Sequence, residues 1–397
     1  MVPANKAPRQ PERVSLAGHI LRDPLNPFPW YKQMRETCPV FYAPEFRSWF
    51  VTRYTDVQRV IDDPVLFSSE QTIRGRRPDE KKSVPTLLWT DPPRHSQLRS
   101  LVSQAFNPRA IAALAPRIAQ IVHAQLDAVA GQGHLDVVQD LANPLPIIVI
   151  AELLGIPTAD RAQFKCWSDI IVGTVRVEKK RAVIDMNAYF MSIVVQRREQ
   201  PQDDLISALL AAQIDGLHLS DAEILSFCRL LLVAGHETST NLIGSALLTL
   251  DEYPERMDEL RADLTLVPAA IEGIVRFRTP IQRLRRVATS DTLLGGCTIK
   301  AGEIVSPILG SANRDEAHFV QPEVFTMPRI PERHLGFGHG VHFCLGAALA
   351  RLETKLALDI LLARFTAMRR IKDRPLQSVA SSFVYGVKSL PMSFREV

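Results

Sequence analysis

One cysteine, Cys344, lies in a segment whose residue types suit iron chemistry. Glycines and ring-bearing residues surround it in Phe337–Gly346, just before a long helical pattern. The thiolate is the ligating form of cysteine, and backbone N–H groups and a helix N-terminus stabilise it. Gly338 and Gly346 leave room for a flat macrocycle to approach the chain, and Phe337 can pack beside the sulfur. Thiolate ligation of heme favours O–O cleavage, so the segment predicts oxygen chemistry. The alternative is a buried structural cysteine.

A second candidate is a polar cluster within a long apolar helix predicted over residues 220–250. The cluster, Ala234–Thr240, reads Ala-Gly-His-Glu-Thr-Ser-Thr and lies midway along that helix. Burying so many polar groups requires partners or a purpose. Hydroxyl side chains in helices also bond a carbonyl one turn back, so a kink residue is the alternative for Thr238.

The pattern around Cys344, Phe-x-x-Gly-x-x-x-Cys-x-Gly, resembles the heme-binding signature of the cytochrome P450 family, and its details resemble the bacterial soluble branch. The resemblance runs over nearly the whole chain. It implies a mainly α fold with small β-sheets (α+β), the cytochrome P450 fold, in which a triangular helical prism holds heme b between the long central helix and the Cys-bearing loop. Cys344 is then the axial thiolate and the metal ligand.

The resemblance also implies roles for the polar cluster. Ala234 and Gly235 match the small pair that opens the helix beside the heme, Glu237 matches the acid, and Thr238 matches the alcohol. Dioxygen on iron needs two protons before its bond breaks, and a hydroxyl backed by a carboxylate can organise water to supply them.

Heme propionates need cationic or hydrogen-bonding partners, and arginine suits them. The positions that match the family's partners are His95, Arg99, Arg286 and His342. His95 and Arg99 are four residues apart and therefore share one face of a helix. In a strand, Arg283 and Arg285 point to one face and Arg286 to the other.

One position departs from the family pattern. The family carries a buried Glu-x-x-Arg ion pair, yet Gly273 stands at the glutamate position, three residues before Arg276. Glu272 lies four residues before the arginine, at a different angle around the helix. We expect another acid or a backbone carbonyl to accept from Arg276, because an unpaired buried arginine is strongly destabilising. In the family, a third residue joins the Glu-x-x-Arg pair to form a triad. Arg329 and His334 match the region that supplies this third residue.

The elements that position these residues follow from apolar spacing. Helices are predicted over 27–37, from 55, and over 108–130, 138–154, 159–172, 178–198 and 220–250. A hairpin is predicted within 40–54, and short strands within 283–309 and 380–395. Residues 1–13 are predicted to be a flexible tail, and 14–397 a single domain, since no linker or repeat divides the pattern.

Composition excludes several classes of protein. The chain has 397 residues, 46% of them hydrophobic, and a net charge of +4 without a clustered basic stripe, so nucleic acid is not expected as a partner. No membrane span or signal segment is evident, which predicts a cytoplasmic protein. Five scattered cysteines suggest neither a disulfide framework nor a zinc site.

The sequence thus predicts a cytochrome P450 monooxygenase, an oxidoreductase that hydroxylates or epoxidises a hydrophobic small molecule with dioxygen and two electrons. Secondary metabolism is the expected setting. A ferredoxin and a ferredoxin reductase are the implied electron donors, because no flavin or dinucleotide fingerprint accompanies the heme motif. A monomer is expected. The alternatives are a heme-binding protein without turnover and a peroxide-driven peroxygenase.

Substrate contacts are expected before Asp91, within 168–187, at 231–234, after Pro280 and at 383–384. Substrate identity and the oxidised carbon stay open.

Overall fold

The computed structural model describes residues 14, 23–70, 84, 86–172, 176–327, 333–373, 375–379 and 381–397. The predicted tail over 1–13, most of the loop before Asp91, and Arg329 lie outside the described residues.

Helices dominate the described chain. The α-helices are α1 (Phe28–Thr37), α2 (Tyr54–Asp62), α3 (Arg94–Ala105), α4 (Pro108–Ala113), α5 (Ala115–Asp127), α6 (Pro144–Leu153), α7 (Arg161–Val172), α8 (Arg176–Glu199), α9 (Leu205–Ala211), α10 (Asp221–Glu252), α11 (Pro254–Ala262), α12 (Val267–Phe277), α13 (Leu309–Ala312) and α14 (Ala347–Arg364).

The strands are short and form small sheets. They are β1 (Val40–Ala43), β2 (Ser48–Val51), β3 (Phe67–Ser68), β4 (His134–Asp136), β5 (Gln213–Ile214), β6 (Leu217–His218), β7 (Arg286–Ala288), β8 (Thr292–Leu294), β9 (Cys297–Ile299), β10 (Ile304–Pro307), β11 (Phe365–Arg370) and β12 (Pro391–Glu396). The described strands pair in the orders β1-β2-β10-β7-β3, β11-β12-β4, β5-β6 and β8-β9. The predicted mainly α chain with small sheets is confirmed.

The chain forms two compact units. The first comprises Met1–Lys81, Glu272–Cys344 and Gln377–Val387. Its five-stranded sheet joins the predicted hairpin, β1 and β2, to β10, which runs parallel to β2 with Ile304 opposite Ser48. Apolar side chains from α2 and the sheet form its core, among them Trp49, Val57 and Phe67.

The second unit comprises Lys82–Ile271, Leu345–Leu376 and Lys388–Val397. Its long helix α10 packs against α6, α8 and α14. Among the described residues, no helix is both long and apolar enough to cross a membrane. The predicted single domain over 14–397 stays a prediction.

A capping box fixes the start of α10. The Ser220 hydroxyl accepts from the Glu223 N–H at 3.3 Å, and the Glu223 carboxylate accepts from the Ser220 N–H at 2.9 Å. Arg94, in the first turn of α3, forms an ion pair with the same carboxylate. Burial would raise the pKa of Glu223, but the bonds from Ser220 and Arg94 outweigh it and lower the pKa.

Prolines interrupt two predicted helices. The predicted helix over 138–154 is a π-helical segment, Val137–Ala142, followed by α6, which begins at Pro144. The predicted helix over 108–130 is likewise divided into α4 and α5, with Pro116 in the first turn of α5. Proline lacks the N–H that would continue a preceding helix, and it is favoured in a first helical turn.

Candidate heme and oxygen-activation site

Main-chain hydrogen bonds shape the loop that carries Cys344. The Cys344 N–H donates to the Phe337 carbonyl at 2.8 Å, and the Gly338 N–H donates to the Leu335 carbonyl at 2.8 Å. Gly338 has φ +73°, a left-handed conformation that glycine adopts without strain. The loop therefore brings Phe337 and Cys344 together through their backbones.

The open side of this loop fits a flat macrocycle. Cys344 and its neighbour Phe343 are exposed, the latter by 40%. A Cβ added at Gly346 would meet nothing within 4 Å, and one at Gly338 would come only into ordinary contact with the His342 carbonyl, at 3.5 Å. An exposed thiol with glycines near it in the chain is a ligand that suits heme iron.

Two of the predicted propionate partners belong to the same unit as Cys344. Arg286 lies on β7, buried, and its Nη1 donates to the Arg285 carbonyl at 3.0 Å. His342 lies in a 3₁₀ turn and its Nε2 is 3.0 Å from Ser69 Oγ. A guanidinium group binds carboxylates through parallel N–H donors, so Arg286 suits an anionic group.

Backbone carbonyls accept from Arg276, as predicted. The arginine is 2% exposed, and its Nη1 donates to the carbonyls of Asn313 and Pro322 at 3.3 and 3.1 Å. Its Nη2 donates to the Val324 carbonyl at 3.2 Å, and its guanidinium lies 5.3 Å from the Phe319 ring centroid. These oxygens and the ring stabilise the buried cation.

Main chain fills the space beside Gly273. A Cβ at this residue would lie far inside contact distance of the Thr326 carbonyl oxygen and 3.2 Å from the Phe325 ring. Glu272 has a separate partner, since its carboxylate is 3.1 Å from His334 Nε2. The departure from Glu-x-x-Arg is therefore accompanied by a close approach of segment 325–326 to α12.

Helix α10 carries the polar cluster without a break in its helical run. The Thr238 hydroxyl donates to the Ala234 carbonyl at 2.6 Å, one turn back. This is the bond expected if Thr238 serves only to bend the helix. Ala234 itself is exposed although it lies midway along the helix. Gly235 allows close packing, because a Cβ there would lie 2.8 Å from Ile150 Cδ1. His236 Nε2 is 2.9 Å from Asn143 Oδ1.

The Glu237 carboxyl group lies beside Thr238 in the chain and is partly buried. Burial raises its pKa, and the positive charge of Lys179 opposes that rise. A carboxyl group with a raised pKa exchanges protons closer to neutral pH than an ordinary glutamate does.

The remaining predicted propionate partners lie on α3. His95 is 1% exposed, and Arg99, one turn later on the same helix face, is partly buried. Arg94 holds α3 to the first turn of α10, which fixes the helix that presents both side chains.

Sequence reasoning missed Glu353, a buried acid on α14. The residue is 1% exposed, and burial raises its pKa to about 8, with Ser239 as the polar neighbour that opposes the rise. Ser239 directly follows Thr238 on α10. A sequence signal existed: Leu349 and Ala357 are buried one turn before and after, so Glu353 occupies an apolar position of the helix.

The predicted site residues divide between the two units. The first contains Phe337, Gly338, His342, Cys344 and Arg286, and the second contains His95, Arg99, Ala234, Gly235, Glu237, Thr238 and Gly346. An exposed loop thiol in the first unit, and an acid next to an alcohol on a long apolar helix in the second, are the residue types predicted for a heme-thiolate oxygenase.

Comparison with known proteins identifies the family. The family model described as "Cytochrome P450" matches residues 156–390, and the chain belongs to this family. It is 41% identical to cyclomarin C epoxidase CymV of Salinispora arenicola, over 92% of this chain and 95% of that protein. The structure of cytochrome P450 CYP109Q5 from Chondromyces apiculatus has a TM-score of 0.90 at 38% identity, covering 97% of this chain and 99% of that one. CYP109E1 from Bacillus megaterium, in complex with testosterone, has a TM-score of 0.86 at 41% identity, covering 93% and 99%.

The fold prediction is thereby confirmed as the cytochrome P450 fold, and the cofactor of the family, heme b with an axial cysteine thiolate, is the one predicted. The chain is a P450 monooxygenase, an oxidoreductase.

Proposed function

We propose that this chain inserts one oxygen atom from dioxygen into a hydrophobic small molecule, as a hydroxyl or an epoxide, with Cys344 as the axial ligand. The observation that carries the proposal is the exposed Cys344 thiol, presented by a loop whose main chain is fixed at Phe337. When bound, heme b supplies the iron centre at which dioxygen is activated.

The chain's own residues would hold the cofactor at its edges. The cationic and hydrogen-bonding side chains proposed for the propionates are Arg286, His342, His95 and Arg99. Arg286 is buried on a paired strand, so its guanidinium is presented with little loss of side-chain entropy.

Glu237 and Thr238 would handle protons. The Thr238 hydrogen is directed to the Ala234 carbonyl at 2.6 Å, so the hydroxyl oxygen can accept from a water molecule on its other side. Because burial raises the pKa of Glu237, its carboxyl group keeps its proton to a higher pH than an ordinary glutamate does. This acid and alcohol pair favours reductive oxygen activation over the peroxide-driven alternative.

Electrons come from an external donor, as in the family. A ferredoxin with a ferredoxin reductase is the proposed donor pair, supported by the lack of a flavin or dinucleotide fingerprint in the sequence. A monomer in the cytoplasm is proposed with it.

An apolar substrate suits the described part of α10 at the start of the polar cluster. Leu231, Val233 and Ala234 are apolar residues of this part of the helix, and apolar surfaces bind apolar ligands. The testosterone complex of CYP109E1 and the epoxidase activity named for CymV support a hydrophobic substrate and a role in secondary metabolism.

The first experiment is the difference spectrum of the reduced, carbon monoxide-bound protein. We expect the strongly red-shifted Soret band of thiolate-ligated heme, and we expect Cys344→Ser to abolish it while the fold, followed by circular dichroism, persists. A red-shifted band that survives in Cys344→Ser would exclude Cys344 as the ligand. An unshifted wild-type band would favour the heme-binding protein without turnover.

Thr238→Ala tests proton delivery. Turnover with reducing partners should fall about tenfold to a hundredfold, with reduced oxygen released instead of product. Thr249→Ala is the matched control, because Thr249 makes the same one-turn bond on α10, to the Ser245 carbonyl at 2.7 Å. Equal losses in the two variants would support the kink alternative, and unchanged turnover in Thr238→Ala would refute the assignment.

A further inference from the structure

A cavity of about 510 Å³ lies within the first unit, on the sheet formed by β2 and β10. Its volume falls in the range of sites that bind small organic molecules, roughly 300 to 1,000 Å³. None of the residues proposed to hold heme lines it. It is therefore distinct from the residues proposed to hold heme, and it shares Phe383 with the predicted substrate contacts.

Arginine is the commonest residue type in the lining, and no lining residue is acidic. Arg47 enters from the turn between β1 and β2, and Arg283 and Arg285 enter from the segment before β7. Arg283 and Arg285 both line the cavity, whereas Arg286 does not. This matches the alternation of side chains predicted for an extended segment. Three guanidinium groups thus share one cavity with no carboxylate in its lining.

Arg283 is held rigidly in the wall. It is 7% exposed, its Nε and Nη2 both bond Ser382 at 3.1 Å, and its guanidinium lies 3.8 Å from the Phe383 ring centroid and 4.6 Å from that of Phe46. Burial lowers its pKa to about 10; Tyr31 opposes the shift, and the charge of Arg285 adds to it. A buried cation beside a second cation is an arrangement that an anion stabilises.

The other two arginines have donors to spare. Neither Arg47 nor Arg285 forms a side-chain hydrogen bond or ion pair with any residue in the described part of the chain, and Nε of Arg285 is buried without a partner there. A guanidinium group binds a carboxylate through two parallel N–H donors. These two side chains are the free donors of the cavity within the described residues.

The rest of the lining is mixed. Ser48 and Ser306 bond each other at 2.8 Å on the floor of the cavity, beside Ile304. The rings of Phe46 and Phe383 complete the apolar part, and Phe383 is 41% exposed. The lining therefore combines cationic side chains with aromatic and aliphatic surface.

We propose that this cavity binds an amphipathic organic anion, with its carboxylate on Arg47 and Arg285 and its apolar body against Phe46 and Phe383. The carboxylate belongs either to the substrate that the enzyme oxidises or to a separate effector. The same side chains would recognise it in both cases. The proposal does not depend on the proposed reaction, because binding requires no turnover.

The test is isothermal titration calorimetry of the heme-loaded full chain with 4-phenylbutyrate and with its neutral counterpart, 4-phenylbutan-1-ol. We expect the carboxylate to bind at least about tenfold more tightly, as charge-assisted hydrogen bonds imply. The double variant Arg47→Gln/Arg285→Gln should remove that preference, whereas Arg109→Gln, at an exposed arginine on α4, should preserve it. Thermal unfolding of each variant verifies its fold.

Equal affinity for acid and alcohol, or an undiminished preference in the double variant, would overturn the proposal. A parallel titration followed at the Soret band separates the two sources. A spectral shift with the calorimetric affinity identifies the anion as a ligand that reaches the heme, and binding without a shift identifies an effector. Either result supports anion binding in this cavity, and both are independent of Thr238.

Discussion

Two buried ionisable side chains, one in each unit, are accommodated in opposite ways. Arg276 in the first unit keeps its charge and donates to three backbone carbonyls. Glu353 in the second unit lies among apolar neighbours with Ser239 beside it, and burial raises its pKa to about 8. The difference follows from the proton: arginine cannot release one in a protein, whereas glutamate can take one up and become neutral. A buried arginine therefore requires several oxygens around it, whereas a buried glutamate that keeps its proton needs few polar partners.

Removing the arginine is the most severe test of this comparison. Arg276→Met would leave the carbonyls of Asn313, Pro322 and Val324 without this donor, and each such loss costs about 1 kcal/mol or more. We expect the free energy of unfolding of the heme-loaded protein to fall by at least about 3 kcal/mol in guanidinium titrations. Arg181→Met, at an exposed arginine of α8, should change it by less than about 0.5 kcal/mol. A similar small change in Arg276→Met would show that the carbonyl bonds contribute little.

Restoring the family glutamate sharpens the comparison. Gly273→Glu should destabilise the protein by about 1 to 3 kcal/mol and lower its heme content, because the Thr326 carbonyl occupies the space of the side chain. Gly244→Ala is the matched control on α10, since its Cβ would meet Val138 at 3.5 Å, an ordinary contact. Its expected effect is neutral or stabilising by up to about 1 kcal/mol. A more stable Gly273→Glu variant would mean that segment 325–326 yields readily to the side chain.

The smallest expected effect depends on pH. The folded protein keeps the Glu353 proton that the unfolded chain releases as pH rises from about 4.5 to about 8, so unfolding becomes easier across that window. Glu353→Gln removes this loss. Relative to wild type, the variant should gain on the order of 2 kcal/mol in the free energy of unfolding between pH 5 and pH 6.5.

The control for this titration is Glu199→Gln, at an exposed glutamate near the end of α8. It should show no change with pH relative to wild type. Parallel behaviour of Glu353→Gln and wild type between pH 5 and pH 8 would mean that Glu353 is ionised in the folded protein.

Periodicity predicted the long helix α10, the β1 and β2 hairpin and the late short sheets, because each rests on local patterning that tertiary contacts reinforce. The glycines near Cys344 predicted backbone conformations closed to other residues, and Gly338 and Gly340 adopt them, with φ +73° and +65°. The need for oxygens around Arg276 was also foreseeable, since it is a property of the residue type. The identity of those oxygens was not foreseeable, because Asn313, Pro322 and Val324 are far from Arg276 in the sequence and only the fold brings them to it.

Glu353 was missed by the sequence analysis for a different reason. Its apolar position on α14 is visible in the sequence, but its burial depends on how α14 packs against α10, and only that packing raises its pKa. The single helix predicted over 138–154 was wrong for a third reason. The apolar pattern continues through Pro144, although the hydrogen bonding does not.

Glu223 also determines the direction in which α3 presents its side chains. One carboxylate caps α10 and holds Arg94, so the start of one helix and the rotation of another about its axis depend on the same group. Successive residues of a helix differ by about 100° in direction, and His95 immediately follows Arg94. The carboxylate thus acts as an angular reference: a rotation of α3 by one residue would break the ion pair and turn His95 out of its buried position.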